Sequence, residues 1–104
     1  MVYSDMEPKP LVKRTNTIPQ EWGEKTTLSS LVGKTITVYD RVKVGGDNSN
    51  LYAYAARFEG VKTWFFSSSE IIARYADQIP FVARVVQRQS ARNKGRRYLD
   101  FDAP

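Results

Sequence analysis

Six basic side chains, Arg84, Arg88, Arg92, Lys94, Arg96 and Arg97, fall in one stretch that contains no acid. Cations at this density track phosphates, and unpaired bases also need flat side chains to stack on. Tyr39, Tyr52, Tyr54, Trp64, Phe65 and Tyr98 are the aromatic candidates for stacking, with Arg41 and Lys43 extending the phosphate track. The competing reading is that exposed hairpins are often basic to stay in solution and to discourage edge pairing. Arg57, Lys62 and Arg74, taken singly, read as ordinary solvated positions.

Other chemistries find little material. The 104 residues include no cysteine and no histidine, which removes disulfides, thiolate metal sites, the commonest metal ligand and the commonest general base. Asp40, Asp47 and Glu59 are scattered over strand and turn positions, Asp100 and Asp102 have no partner base, and Gly45–Gly46 is turn chemistry rather than a phosphate loop. No catalytic residue, metal site or cofactor is therefore expected. A net charge of +5 favours a polyanionic partner without naming it. There is no apolar run long enough to span a bilayer and no secretory layout at the start, so a cytoplasmic protein without a membrane partner is expected.

The elements that must position these residues are mostly strands. Residues 1–26 carry three of the five prolines and no sustained periodicity. They read as an N-terminal arm, disordered or partly ordered, in which residues 11–18 could add an edge strand and Trp22 could dock on the body or on a second copy. Residues 27–104 read as one domain. Its first strand, 34–44, has apolar even positions (Ile36, Val38, Val42, Val44) interrupted by Asp40, which predicts a bulge. A glycine- and asparagine-rich turn follows, then strands over 51–58 and 63–66, the first two strands forming a hairpin.

Alternation puts Trp64 and Phe66 on one side and Phe65 on the other, and leaves open which side is the core. If Phe58 is inside, Tyr52 and Tyr54 share its face. The outer row is then Ala53, Ala55 and Arg57. A capping box from Ser67 to Glu70 predicts a helix of two to three turns, with Ile71, Ile72, Tyr75, Ala76 and Ile79 on its apolar face and Pro80 ending it. Strands over 81–89 and 96–102 close the domain around the basic hairpin. Leu99 and Phe101 point inward there, and Tyr98 points outward beside Arg97, to stack or merely to cover the sheet.

Three strands, a helix and two strands is the element order of the five-stranded Greek-key oligonucleotide-binding barrel (OB-fold), with the helix between strands 3 and 4. An SH3-like barrel would lack the helix. Leu28-Ser29-Ser30-Leu31-Val32-Gly33-Lys34, the step Trp64-Phe65-Phe66-Ser67-Ser68-Ser69, and the hairpin Asn93-Lys94-Gly95-Arg96-Arg97-Tyr98-Leu99-Asp100-Phe101 resemble small phage and mobile-element single-stranded DNA-binding proteins of this fold over residues 28–102. The resemblance implies a non-enzymatic, weakly sequence-selective binder of single-stranded DNA. It would act in replication or recombination in a bacterial host, beside proteins of those processes. A homodimer fits this expectation, because single barrels bind strands weakly unless paired. The alternatives from the sequence are a protein-interaction or accessory structural module of the same fold, and an RNA-binding protein.

Overall fold

The computed structural model describes residues 18–104 apart from Asp47 and Lys94. The arm over 1–17, and with it most of the expected edge strand, lies outside the described residues. So does Lys94. The protein is mostly β: strands β1 (Glu24–Lys25), β2 (Thr35–Lys43), β3 (Tyr52–Phe58), β4 (Val61–Ser67), β5 (Phe81–Gln89) and β6 (Arg97–Asp102), with one short helix, α1 (Glu70–Ala73), between β4 and β5. They form a single sheet in the order β1-β4-β3-β2-β5-β6. β1 runs parallel to β4 and every other pair is antiparallel.

Two features depart from the five-stranded barrel expected. The outer edge of β4 pairs with β1, a sixth strand of two residues, and β4 makes no ladder with β6. The sheet is therefore not closed. Leu28 and Leu31, on a 3-10 turn that follows β1, are buried in the main core instead.

Local chemistry explains the turns. Glu59 and Gly60 both have positive φ (52° and 78°) between the paired residues Phe58 and Val61, as a two-residue primed turn requires. The helix is shorter than its apolar spacing predicts. Ser67 pairs with Tyr52 as the last residue of β4 and so cannot serve as the cap. Ser69 does so instead, its Oγ accepting from the amides of Ile71 and Ile72 at 3.2 and 3.4 Å. After Ala73 the chain continues only as a 3-10 turn, Ala76–Gln78, ahead of Pro80.

The Asp40 signal is a real bulge. Register shifts between Val38, opposite Ala56, and Asp40, opposite Ala55. Because side chains alternate with period two, the extra residue exchanges the faces of everything beyond it. Ile36 and Val38 lie in the main core with Tyr54, Ala56, Phe65, Ile72, Val85 and Phe101, whereas Val42 and Val44 join a second cluster on the opposite face. That second cluster is built on Ala53, Ala55 and Trp22, flanked by Ile18, Tyr39, Trp64 and Phe66.

Trp22, only 3% exposed, reaches the second cluster through a tight passage. Gly23 has φ +83° and ψ −149°, a region open essentially to glycine, and a Cβ there would sit 2.2 Å from the Lys62 carbonyl oxygen. The Gly23 carbonyl in turn accepts from Trp64 Nε1 at 3.2 Å. Gly23→Ala is expected to lower stability by at least about 2 kcal/mol, the backbone conformation alone costing roughly 1–3 kcal/mol. Urea unfolding checks it; an unchanged midpoint would contradict this account of the passage.

Candidate nucleic-acid interface

The hairpin between β5 and β6 is held by its own backbone. The Ser90 amide donates to the Arg96 carbonyl at 2.8 Å, the Arg96 amide to the Asn93 carbonyl at 2.9 Å, and the Asn93 amide to Ser90 Oγ at 3.3 Å. Between this hairpin and α1 lies a cleft of about 620 Å³ lined by Ile71, Arg74, Ser90, Ala91, Arg92, Arg96, Arg97 and Tyr98. Four of those side chains are guanidiniums and none is acidic. None of the four makes an ion pair among the described residues. Such an arrangement attracts anions, and phosphate oxygens in particular, since each guanidinium offers a planar fork of donors.

Arg92, Arg96, Arg97 and Tyr98 are thus brought together as the sequence implies, and Arg74 joins them from beyond α1. On its own Arg74 reads as a solvated helix position. Only the docking of the helix beside the hairpin recruits it, and the sole advance signal is its place next to Ile71 and Tyr75 at the border of the apolar stripe.

Arg88 and Arg84 stand apart. Arg88 Nε donates to Asp100 Oδ2 at 2.8 Å, and its Nη2 lies 3.9 Å from Asp102. Arg84 is exposed on β5 opposite Asp102 and does not line the cleft. The phosphate role expected of Arg88 is therefore opposed by a carboxylate already in place.

The aromatics divide by face. Tyr54 is 2% exposed and stacks on the fully buried Phe65 at 5.3 Å, so both belong to the main core and the stacking on bases expected of them is closed off. Burial raises the Tyr54 hydroxyl above its usual range, and the nearby Arg41 opposes that shift. Trp64 points to the other side, edge-on to Phe66 at 4.9 Å. The outer row of Ala53 and Ala55, which would let a base lie flat, is fully buried within the cluster that contains Trp22. Tyr39, one of the stacking candidates, is half-buried in that cluster with its hydroxyl buried and unpartnered, because the bulge puts it on the face of Val42 and turns Arg41 to the other face. Arg41 moves the opposite way. Its guanidinium lies 4.0 Å over the half-buried Tyr52 ring, on the flank of α1 away from the hairpin. Lys43 is exposed at the end of β2, opposite Tyr52.

Comparison with known proteins found no matching family model, no similar curated sequence and no similar solved structure. The geometry therefore carries the functional reading by itself. Among the described residues no group of histidine, cysteine or carboxylate side chains is placed to hold a metal ion, and no helix is long and apolar enough to cross a membrane.

Asp100 anchors the sheet edge at β6. Its Oδ1 accepts from the Tyr75 hydroxyl at 2.7 Å and from the Phe101 amide at 2.8 Å, while Arg88 holds Oδ2. Burial pushes the carboxyl up, but the bonds from Tyr75, Arg88 and Phe101 outweigh it and leave Asp100 below its ordinary value. A depressed carboxylate stabilises the fold above the unfolded value, near 3.8, and that contribution disappears as the pH falls through the folded one. Asp100→Asn is expected to cost roughly 1 kcal/mol at neutral pH, because a neutral amide oxygen accepts less strongly than the carboxylate from Tyr75 and Phe101. The difference from the parent should close below about pH 4. Urea unfolding across pH checks this, and a gap that stays constant into acid would exclude the charge as its cause.

Proposed function

We propose that this protein binds single-stranded DNA through the cleft between α1 and the β5–β6 hairpin, as a partly open oligonucleotide-binding barrel acting in replication or recombination. The observation that carries the reading is the set of four unopposed arginines with one tyrosine in a single cleft. The strand order supports the fold half of the proposal. Without β1, the sequence of neighbours β4-β3-β2-β5-β6 is that of an unrolled five-stranded barrel of this kind, with the helix between its third and fourth strands, and such barrels are often incompletely closed. The β5–β6 hairpin is then the loop between the last two strands, which borders the ligand in that architecture.

Barrels of this type also use the outer face of their second and third strands, here β3 and β4. In this chain that face is the second apolar cluster containing Trp22. The strand is accordingly routed over the α1 end of the sheet, from the arginine cleft toward Arg41 and Tyr52. Phosphate neutralisation dominates such a path, and base stacking falls to Tyr98, since Arg41 already covers the Tyr52 ring.

Single-strand binding with four phosphates neutralised gives a plot of log affinity against log salt with a slope of about −3. Fluorescence anisotropy of a labelled oligothymidine is the measurement. Arg96→Ala and Arg97→Ala should each make the slope shallower by roughly 0.7, and Arg84→Ala should leave it unchanged. Salt-independent binding would reject the mechanism. Equal effects from Arg84→Ala and Arg97→Ala would reject the cleft as its location, and tighter binding of oligouridine or duplex would redirect the reading to RNA or to double strands.

A further inference from the structure

On the opposite flank of α1 from the arginine cleft is a smaller pocket of about 200 Å³, lined by Arg41, Asn50, Tyr52, Ser68, Ser69, Glu70 and Ala73. It lies below the roughly 300–1,000 Å³ of pockets that take whole drug-sized ligands, and suits a single planar ring system. Its polar side chains converge from separate elements. Arg41 comes from β2 beyond the bulge, Asn50 from the turn before β3, and Glu70 from the helix. Arg41 is there only because the extra residue at the bulge turns it onto the Tyr52 face, and bulges commonly re-aim side chains at functional sites. The Tyr52 ring, 4.0 Å from the guanidinium, fixes the plane of the fork.

Two opposite charges border the pocket, Arg41 half-buried and Glu70 exposed. Arg41 and Glu70 line the same small space, yet they form no ion pair with one another, and the Glu70 carboxylate accepts no hydrogen bond among the described residues. A ligand that donates to the carboxylate and accepts from the guanidinium would bridge them. Among the nucleobases guanine fits that demand best. Its N1–H and N2–H are adjacent donors that a carboxylate takes with both oxygens, and its O6 and N7 are paired acceptors that an arginine fork takes bidentately. Thymine offers one ring N–H, and adenine and cytosine each present a single amino group beside an acceptor.

We propose that this pocket reads one base of the bound strand and prefers guanine, with Glu70 and Arg41 as the specificity-determining residues. The inference rests on the strand-binding reading above and deepens it. Roughly 10–12 Å, the width of one helix with its side chains, separates the two flanks of α1, a span that a short strand covers.

The test uses the full chain and labelled oligothymidine of about ten nucleotides, a length within the usual site size. One central thymine is replaced in turn by guanine, cytosine or adenine. Guanine is expected to tighten binding roughly tenfold, toward the low end for one bidentate base contact. Glu70→Gln and Arg41→Lys should each bring that ratio back to about one, the ratio being taken within each variant so that any change in its affinity for oligothymidine itself cancels. A strand that binds with no guanine preference, a preference that survives Glu70→Gln, or a stronger response to cytosine would each overturn the pocket assignment and leave strand binding intact. Guanosine monophosphate, titrated while the Ser69 and Glu70 amide resonances are followed, reads the pocket without any strand. Shifts with guanosine but not thymidine monophosphate support the pocket even where oligothymidine fails to bind, a result that would overturn strand binding alone.

Discussion

The arrangement of both faces of this sheet depends on one extra residue in β2. Ahead of the bulge, Ile36 and Val38 feed the main core; beyond it, Val42 and Val44 feed the second cluster, although all four share even parity in the sequence. A strand with strict alternation would place all four on one side and take Val42 and Val44 away from the outer face of β3. The bulge instead lets β3 be buried on both sides. That is why the strand alternates Tyr52, Tyr54 and Phe58 with the small Ala53 and Ala55, which leave room for Trp22 to pack close to the sheet. The same parity change carries Arg41 onto Tyr52, an arginine–aromatic contact worth about 0.5–1 kcal/mol where it is exposed. Core packing and the charged rim are thus set by one local irregularity.

The second cluster also explains why the sheet is open. Without the segment ending in Trp22, the rings of Trp64 and Phe66 and the side chains of Val42 and Val44 would form a contiguous apolar patch of the kind soluble domains seldom expose. Covering it brings Glu24 and Lys25 alongside Thr63 and Trp64, where they pair with β4. Thr63 Oγ1 donates to the Glu24 carbonyl at 2.7 Å, and the Thr26 amide donates to the Trp64 carbonyl at 2.8 Å. The edge that could have met β6 is thereby occupied. On the other side of the gap, the Phe101 amide is engaged by the Asp100 side chain and its carbonyl by the Tyr75 hydroxyl, so β6 is also protected against strand addition at that residue.

Much of this was legible in the sequence because it rests on local chemistry. Asp40 within an apolar row announces the bulge, glycine-bearing turns announce the hairpins, and the serines before Glu70 announce a helix start. What was not legible depends on which of several local options a distant partner selects. Three consecutive serines can each cap a helix, and the pairing of Ser67 with Tyr52 decides for Ser69. Trp64 and Phe65 alternate identically whichever of them is inside; the core position of Tyr54 settles it. β1 is two charged residues without periodicity, and exists because Trp22 and Gly23 deliver it to the edge of β4. Arg88 and Arg97 look alike along the chain. Asp100 claims the first and leaves the second for the cleft.

That division of the arginines follows from where the acids sit. Asp100 and Asp102 are on one face of β6, within reach of Arg88 but not of the hairpin tip, so the fold neutralises the base of the hairpin and leaves its end positive. Four guanidiniums lining one cleft repel each other, and none of them is held in an ion pair among the described residues. If the cluster served only to keep an exposed hairpin in solution, there would be no need to draw in Arg74 from a different element, since the hairpin's own arginines already suffice for that. Its convergence with Arg92, Arg96 and Arg97 concentrates the charge in one cleft, where a single polyanionic strand can relieve the repulsion at several points at once. The neutralised base holds the hairpin in place, and its end keeps the positive charge.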